Sequence, residues 1–255
     1  IKLKKILQKM IGKIKKFNFK SLLILNTFAL IVTSYFFNNF ILIGTFTLFF
    51  LISLLTTKNG LEIIRKLNLL QNIRSEGPAN HYKKSDTPTM GGIFMIVPFL
   101  VFLLIITINL SSLKLFLLLL IIFGFFIIGF LDDYLSIKNK KNTGLKTKEK
   151  FFLQSIISII FILLAYEKNL INPLITVSDY WEINTNIFIL PISFLVLVGI
   201  SNSVNLTDGL DGLASGCSGI VFYGLGTEIL IKGQQELFVL SVLCYSMSGI
   251  CLGFL

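Results

Sequence analysis

Charge is scarce in this 255-residue chain: 14% of the side chains are charged and 54% are apolar. A soluble domain carries about 25% charge. So much apolar surface cannot be hidden in one core of this size, which excludes both ordinary soluble structure and disorder. Histidine is nearly missing. His81 stands alone and reads as a loop or headgroup-facing residue, so a Ser/His/Asp arrangement has nothing to build on. The three cysteines, Cys217, Cys244 and Cys251, lie in apolar or small-residue stretches with no C-x-x-C or Cys/His spacing. They read as packing thiols, not as a disulfide or a metal site. No P-loop pattern is present. No internal repeat is evident, which gives an inverted-repeat transporter little support. The basic N-terminal stretch lacks a following small-residue cleavage site and is followed at once by two apolar windows, so a cleaved signal peptide is a poor account of it.

What the chain does have is long apolar runs. A helix crossing the bilayer core needs about 20 apolar residues. Uncharged windows of this kind recur at Ser21–Phe37, Phe40–Thr57, Thr89–Ile108, Leu115–Leu131, Phe151–Tyr166, Ile187–Val204, Ala214–Ile231 and Leu237–Leu255. The fold class expected is all-α, a polytopic transmembrane helical bundle of about eight spans. Residues 1–20 form a basic tail and 21–255 the membrane domain. Charges sort by side. Residues 1–20 hold eight lysines, residues 58–86 six Lys/Arg and residues 132–150 six more, against Lys114, Lys168 and Lys232 in the intervening connections. The positive-inside rule puts the three basic segments in the cytoplasm, and the short segment 205–213 falls on the same side. The tail then reads as a segment lying near anionic lipid, and the net charge of +10 needs no nucleic acid. Tyr180 and Trp181 fall at the opposite interface as anchors.

Polar residues that resist this composition gather on the cytoplasmic side. In Lys83-Lys84-Ser-Asp-Thr87-Pro-Thr-Met-Gly-Gly92, Thr87 reads as an N-cap and Pro88 as the first helical residue. Gly91 and Gly92 would admit a close backbone, and a helix N-terminus beside two lysines suits phosphate. In Gly129-Phe-Leu-Asp132-Asp133-Tyr134, two adjacent carboxylates repel, at a cost that falls if a divalent cation or lysines neutralise them. In Asn205-Leu-Thr-Asp208-Gly-Leu-Asp211-Gly-Leu-Ala214, Asn205, Asp208 and Asp211 share one face if the segment is helical. Carboxylates at membrane depth are functional candidates by default. Mg²⁺ suits this oxygen-rich set. With lysines it suits phosphoryl transfer on a phosphate-bearing substrate, one partner of which would be a lipid.

These three segments, in this order and spacing, resemble the polyprenyl-phosphate N-acetylhexosamine-1-phosphate transferases. The first segment points to their phospho-N-acetylmuramoyl-pentapeptide-transferase branch. The resemblance covers about residues 60–255. It implies a bacterial inner-membrane enzyme, with its active site on the cytoplasmic face, that joins UDP-N-acetylmuramoyl-pentapeptide and undecaprenyl phosphate into lipid I and UMP with Mg²⁺. It implies catalytic roles for Asp132, Asp133 and Asp208, which would also hold the metal, and substrate-binding roles for Lys84, Lys148, Asn205 and Asp211. A homodimer is compatible with it. A base is not required of Asp132, since a phosphate monoester with a second pKa of about 6 is mostly ionised at neutral pH. Holding two anions in line is the larger task.

Two departures stand out. Ser136 occupies a position where the family usually has Lys, with Lys138 the nearest substitute. The family's later acidic and histidine motifs are absent before Leu255, so the chain reads as C-terminally incomplete and is expected to show weak or no transferase activity alone. The alternatives are a sister enzyme moving N-acetylglucosamine-1-phosphate, a transporter, and a non-catalytic membrane scaffold. A transporter predicts a polar path across the spans, whereas the polar residues here gather at one face.

Overall fold

The computed structural model describes residues 27–28, 30–33, 35, 39–67, 89–139, 144–178, 181–208, 212–233 and 237–255. Seven helices carry most of them: α1 Phe40–Lys66, α2 Gly92–Leu110, α3 Leu113–Lys138, α4 Thr147–Glu167, α5 Ile189–Thr207, α6 Leu213–Ile231 and α7 Phe238–Phe254. Six are long and apolar enough to cross a membrane, and α7 is a shorter apolar helix. The protein is an all-α polytopic membrane protein. The physical reason is that apolar solvent offers backbone groups no partner, so each run must satisfy its N–H and C=O groups within itself. The window Ser21–Phe37 and the basic tail lie largely outside the described residues, as do Lys83, Lys84, Thr87, Pro88 and Tyr180.

Seven of the eight windows match α1 to α7. One connection departs from the all-α expectation. Between α4 and α5, β1 (Leu174–Ser178) and β2 (Trp181–Asn184) form an antiparallel hairpin. Its pairs run from Leu174 opposite Asn184 to Ser178 opposite Trp181, with an irregularity between Thr176 and Ser178. Trp181 is exposed on β2, as an interfacial anchor requires.

The chain divides into two compact units, residues 55–214 and residues 1–54 with 215–255. In the first, consecutive helices pack side by side: α2 on α3, α3 on α4, and α4 on α5. The second half of α1 joins them through Thr56 Oγ1, which donates to the Phe94 carbonyl at 2.9 Å, and through Gly60, where a Cβ would collide with the Phe94 ring. In the second unit, α7 is buried along most of its length. Ser53 Oγ of α1 donates to Ile250 O at 2.8 Å and Ser248 Oγ to Gly219 O of α6 at 2.8 Å. A Cβ at Gly249 or Gly253 would meet the carbonyls of Phe46 or Phe50. Small residues let membrane helices approach to backbone contact, where packing replaces the hydrophobic drive that lipid removes.

Candidate active site

The site belongs to residues 55–214 and begins with the last turns of α3. Successive helix positions are about 100° apart, so Asp132 and Asp133 leave the helix in different directions. Helix α3 packs on both α2 and α4, and the two carboxylates divide accordingly.

Asp132 serves the α4 side. Its Oδ2 pairs with Lys150 Nζ at 2.8 Å, and its Oδ1 accepts the Leu145 N–H at 2.9 Å. The two side chains are 25% and 16% exposed, sheltered enough for the pair to be more than a surface contact. Gly144 lies so close that a Cβ would collide with the Asp132 carbonyl and carboxylate. Here only glycine fits. Helix α4 starts directly after this contact, with the Lys146 N–H donating to Glu149 Oε2 at 3.0 Å, a carboxylate at the positive end of the helix.

Asp133 serves the other side. It is half-buried, and the Met90 N–H donates to its carboxylate. Asp132, Lys150 and Asp208 all lie within its electrostatic reach. Met90 has φ 65°, in the left-handed region, and is buried at 8% exposure. That conformation is uncommon for a residue with a side chain. It turns the amide toward α3 just before α2 begins.

The expected start of this helix is corrected by the structure. Thr87 and Pro88 were to cap and open it, but Thr89 and Met90 are not helical and α2 begins at Gly92. The turn at Met90 forbids a continuous helix from Pro88. Gly92 borders open space, not a close backbone. The expected common face of Asn205, Asp208 and Asp211 is also corrected. Helix α5 ends at Thr207, with Asp208 as its C-cap donating its N–H to Val204 O at 3.2 Å. Asn205 is therefore in the last helical turn and Asp208 just beyond it, both exposed. Gly212 at φ 77° takes the left-handed turn that leads into α6. Asp211 lies outside the described residues, as do Lys84 and His81.

Thus Asp132, Asp133 and Asp208 come to one end of the helices, with Lys150. Lys148 stands exposed on the first turn of α4. Lys138, expected to stand in beside Ser136, is exposed at the end of α3, and Lys150 supplies the charge to Asp132 instead. Among the described residues, no three His, Cys, Asp or Glu side chains form a cluster able to hold a metal ion. The donor chemistry nevertheless fits Mg²⁺, which takes one or two carboxylates and completes its shell with water and substrate phosphate.

Sequence reasoning missed Met90, Gly144, Lys150 and an amide pair, Gln154 with Asn202. Gln154 of α4 is 1% exposed. Its Oε1 accepts from Asn202 Nδ2 at 2.9 Å, and its Nε2 donates to Ser201 Oγ at 3.2 Å. A signal was available, because Gln154 is the one amide in the apolar run 151–165.

Comparison with known proteins finds relatives along most of the chain. The family model for glycosyl transferase family 4 matches residues 115–255, and the phospho-N-acetylmuramoyl-pentapeptide-transferase signature 1 matches residues 84–96. A phospho-N-acetylmuramoyl-pentapeptide-transferase of Prochlorococcus marinus strain MIT 9312 is 84% identical over 96% of this chain and 69% of that protein. The protein of that name from strain CCMP1986 is 59% identical over 96% of this chain and 68% of its own length. The one from Bacillus cytotoxicus is 43% identical over 81% of this chain and 63% of its own length. The chain belongs to the phospho-N-acetylmuramoyl-pentapeptide-transferase family.

Proposed function

We propose that the protein transfers phospho-N-acetylmuramoyl-pentapeptide from UDP to undecaprenyl phosphate, giving lipid I and UMP for peptidoglycan synthesis. The observation that carries the reading is the meeting of Asp132, Asp133, Lys150 and Asp208 at one end of apolar helices. A lipid phosphate held at the membrane edge can reach that end. The clustering of Lys and Arg in segments 1–20, 58–86 and 132–150 supports placing that end at the cytoplasmic face of the bacterial inner membrane.

In the reaction, an oxygen of the lipid phosphate attacks the β-phosphorus of the nucleotide sugar. A new P–O bond forms, the bond to the α-phosphate oxygen breaks, and UMP leaves with that electron pair. Both partners are anions, so the protein's task is to hold them in line and screen their repulsion. Lys84 and Lys148 would face the nucleotide phosphates, and Asn205 and Asp211 would orient the nucleotide. Asp133 and Asp208 would hold Mg²⁺, with Asp132 beside them held by Lys150. When bound, the ion supplies positive charge to the phosphoryl oxygens. The Met90 N–H would help to orient the Asp133 carboxylate.

The test is UMP release and lipid-product formation from UDP-N-acetylmuramoyl-pentapeptide and undecaprenyl phosphate with Mg²⁺. In a protein that carries this chain within the full length of its relatives, transfer from this nucleotide and not from UDP-N-acetylglucosamine is expected, stopped by chelation and restored by Mg²⁺. Equal use of both nucleotides would favour the sister activity, and no transfer from either would overturn the reading.

A further inference from the structure

We propose that Gln154 is a positioning residue: through Asn202 it sets where the C-terminal end of α5 stands against the Asp132–Lys150 pair. This rests on the site described above. Gln154 lies four residues after Lys150, one turn further along the same face of α4. Lys150 reaches α3 through Asp132, and Gln154 reaches α5 through Asn202 and Ser201. One face of α4 is therefore pinned to both neighbouring helices within about 6 Å of its length.

The bond geometry fixes register. Asn202 Nδ2 donates both to Gln154 Oε1 at 2.9 Å and back to Val198 O at 2.8 Å. The second bond holds the Asn202 side chain against its own helix, so the first fixes α5 and not a loose rotamer. Asn202 precedes Asn205 by three residues and Asp208 by six, so any slide or rotation of α5 is passed directly to both. Asp208 is one of the charges felt by Asp133. A displacement of about 1 Å at a reacting centre can cost roughly a hundredfold in rate.

A plain adhesive role is the competing account, since amides and hydroxyls between membrane helices also add stability. The two differ in what an apolar replacement restores. Gln154→Met leaves Asn202 short of an acceptor. Pairing it with Asn202→Leu removes both polar partners, and such double replacement can be nearly neutral for stability. If Gln154 positions α5, Gln154→Met lowers kcat about tenfold or more with KM within about threefold. The Gln154→Met/Asn202→Leu protein then regains its melting temperature but not its kcat. Recovery of kcat together with melting temperature would overturn the proposal. A second readout does not depend on transfer. In Gln154→Met, amide hydrogen exchange should quicken about tenfold over Val204–Asp208 and stay unchanged over Ile189–Leu195. Unchanged exchange at Val204–Asp208 would overturn the proposal even if the wild-type protein transfers as expected. Should the wild type transfer nothing, the exchange result still decides the role of Gln154, while the proposed function fails separately.

Discussion

The two compact units use polar groups in different ways. Around α7, polar contacts come from hydroxyls and glycines: Ser53 to Ile250, Ser248 to Gly219, and Thr227 with Tyr245 at 2.9 Å. They satisfy single atoms and let backbones close. Around α3, α4 and α5 the polar groups are carboxylates, an ammonium and two amides with the Ser201 hydroxyl, and they bond across helices in chains. A buried hydroxyl is satisfied by a single helix carbonyl, whereas a charge or an amide has several bonding positions and is expensive to bury unless its partners are present. Paying that cost at one end of one helix set marks the end where position matters.

The comparison can be broken from either side. The largest effect should come from Asp133→Asn, which keeps the shape but removes the charge facing Met90 and Asp208. Lipid-product formation should fall by roughly 10³-fold, on the scale of losing one electrostatic contact to a transition state, with the melting temperature little changed. Retention of more than a tenth of the rate would sever this carboxylate from the chemistry. Gly249→Val should do the reverse. It forces a side chain against the Phe46 carbonyl, costing about 1–3 kcal/mol in thermal unfolding. At permissive temperature the folded protein should transfer within about twofold of wild type. Ser53→Ala should be the mildest, removing one hydroxyl bond for roughly 0.6 kcal/mol with kinetics unchanged. A large kinetic loss in either variant would erase the distinction between the units.

Much of this was legible from residue order alone. Apolar length located seven helices because lipid leaves the backbone no other choice, and the carboxylate segments stood out against their surroundings. Helix ends were harder. Pro88 resembles a first helical residue, but the left-handed turn at Met90 depends on a contact with Asp133 that no local pattern encodes. Lys150 was one of six basic residues in 132–150, and only tertiary packing separates it from Lys148. Gly144 showed nothing of its closeness to Asp132 for the same reason. The hairpin at 174–184 was hidden because its strands are only five and four residues long and β1 lacks a regular alternation.

The most direct test of a shared pocket is a double-mutant cycle on Asp133→Asn and Asp208→Asn, read as the rate of lipid-product formation. Residues that act as one unit are strongly non-additive. The expected result is a double variant no slower than about threefold below the slower single variant. Full multiplication of the two single losses would contradict a common site for these carboxylates.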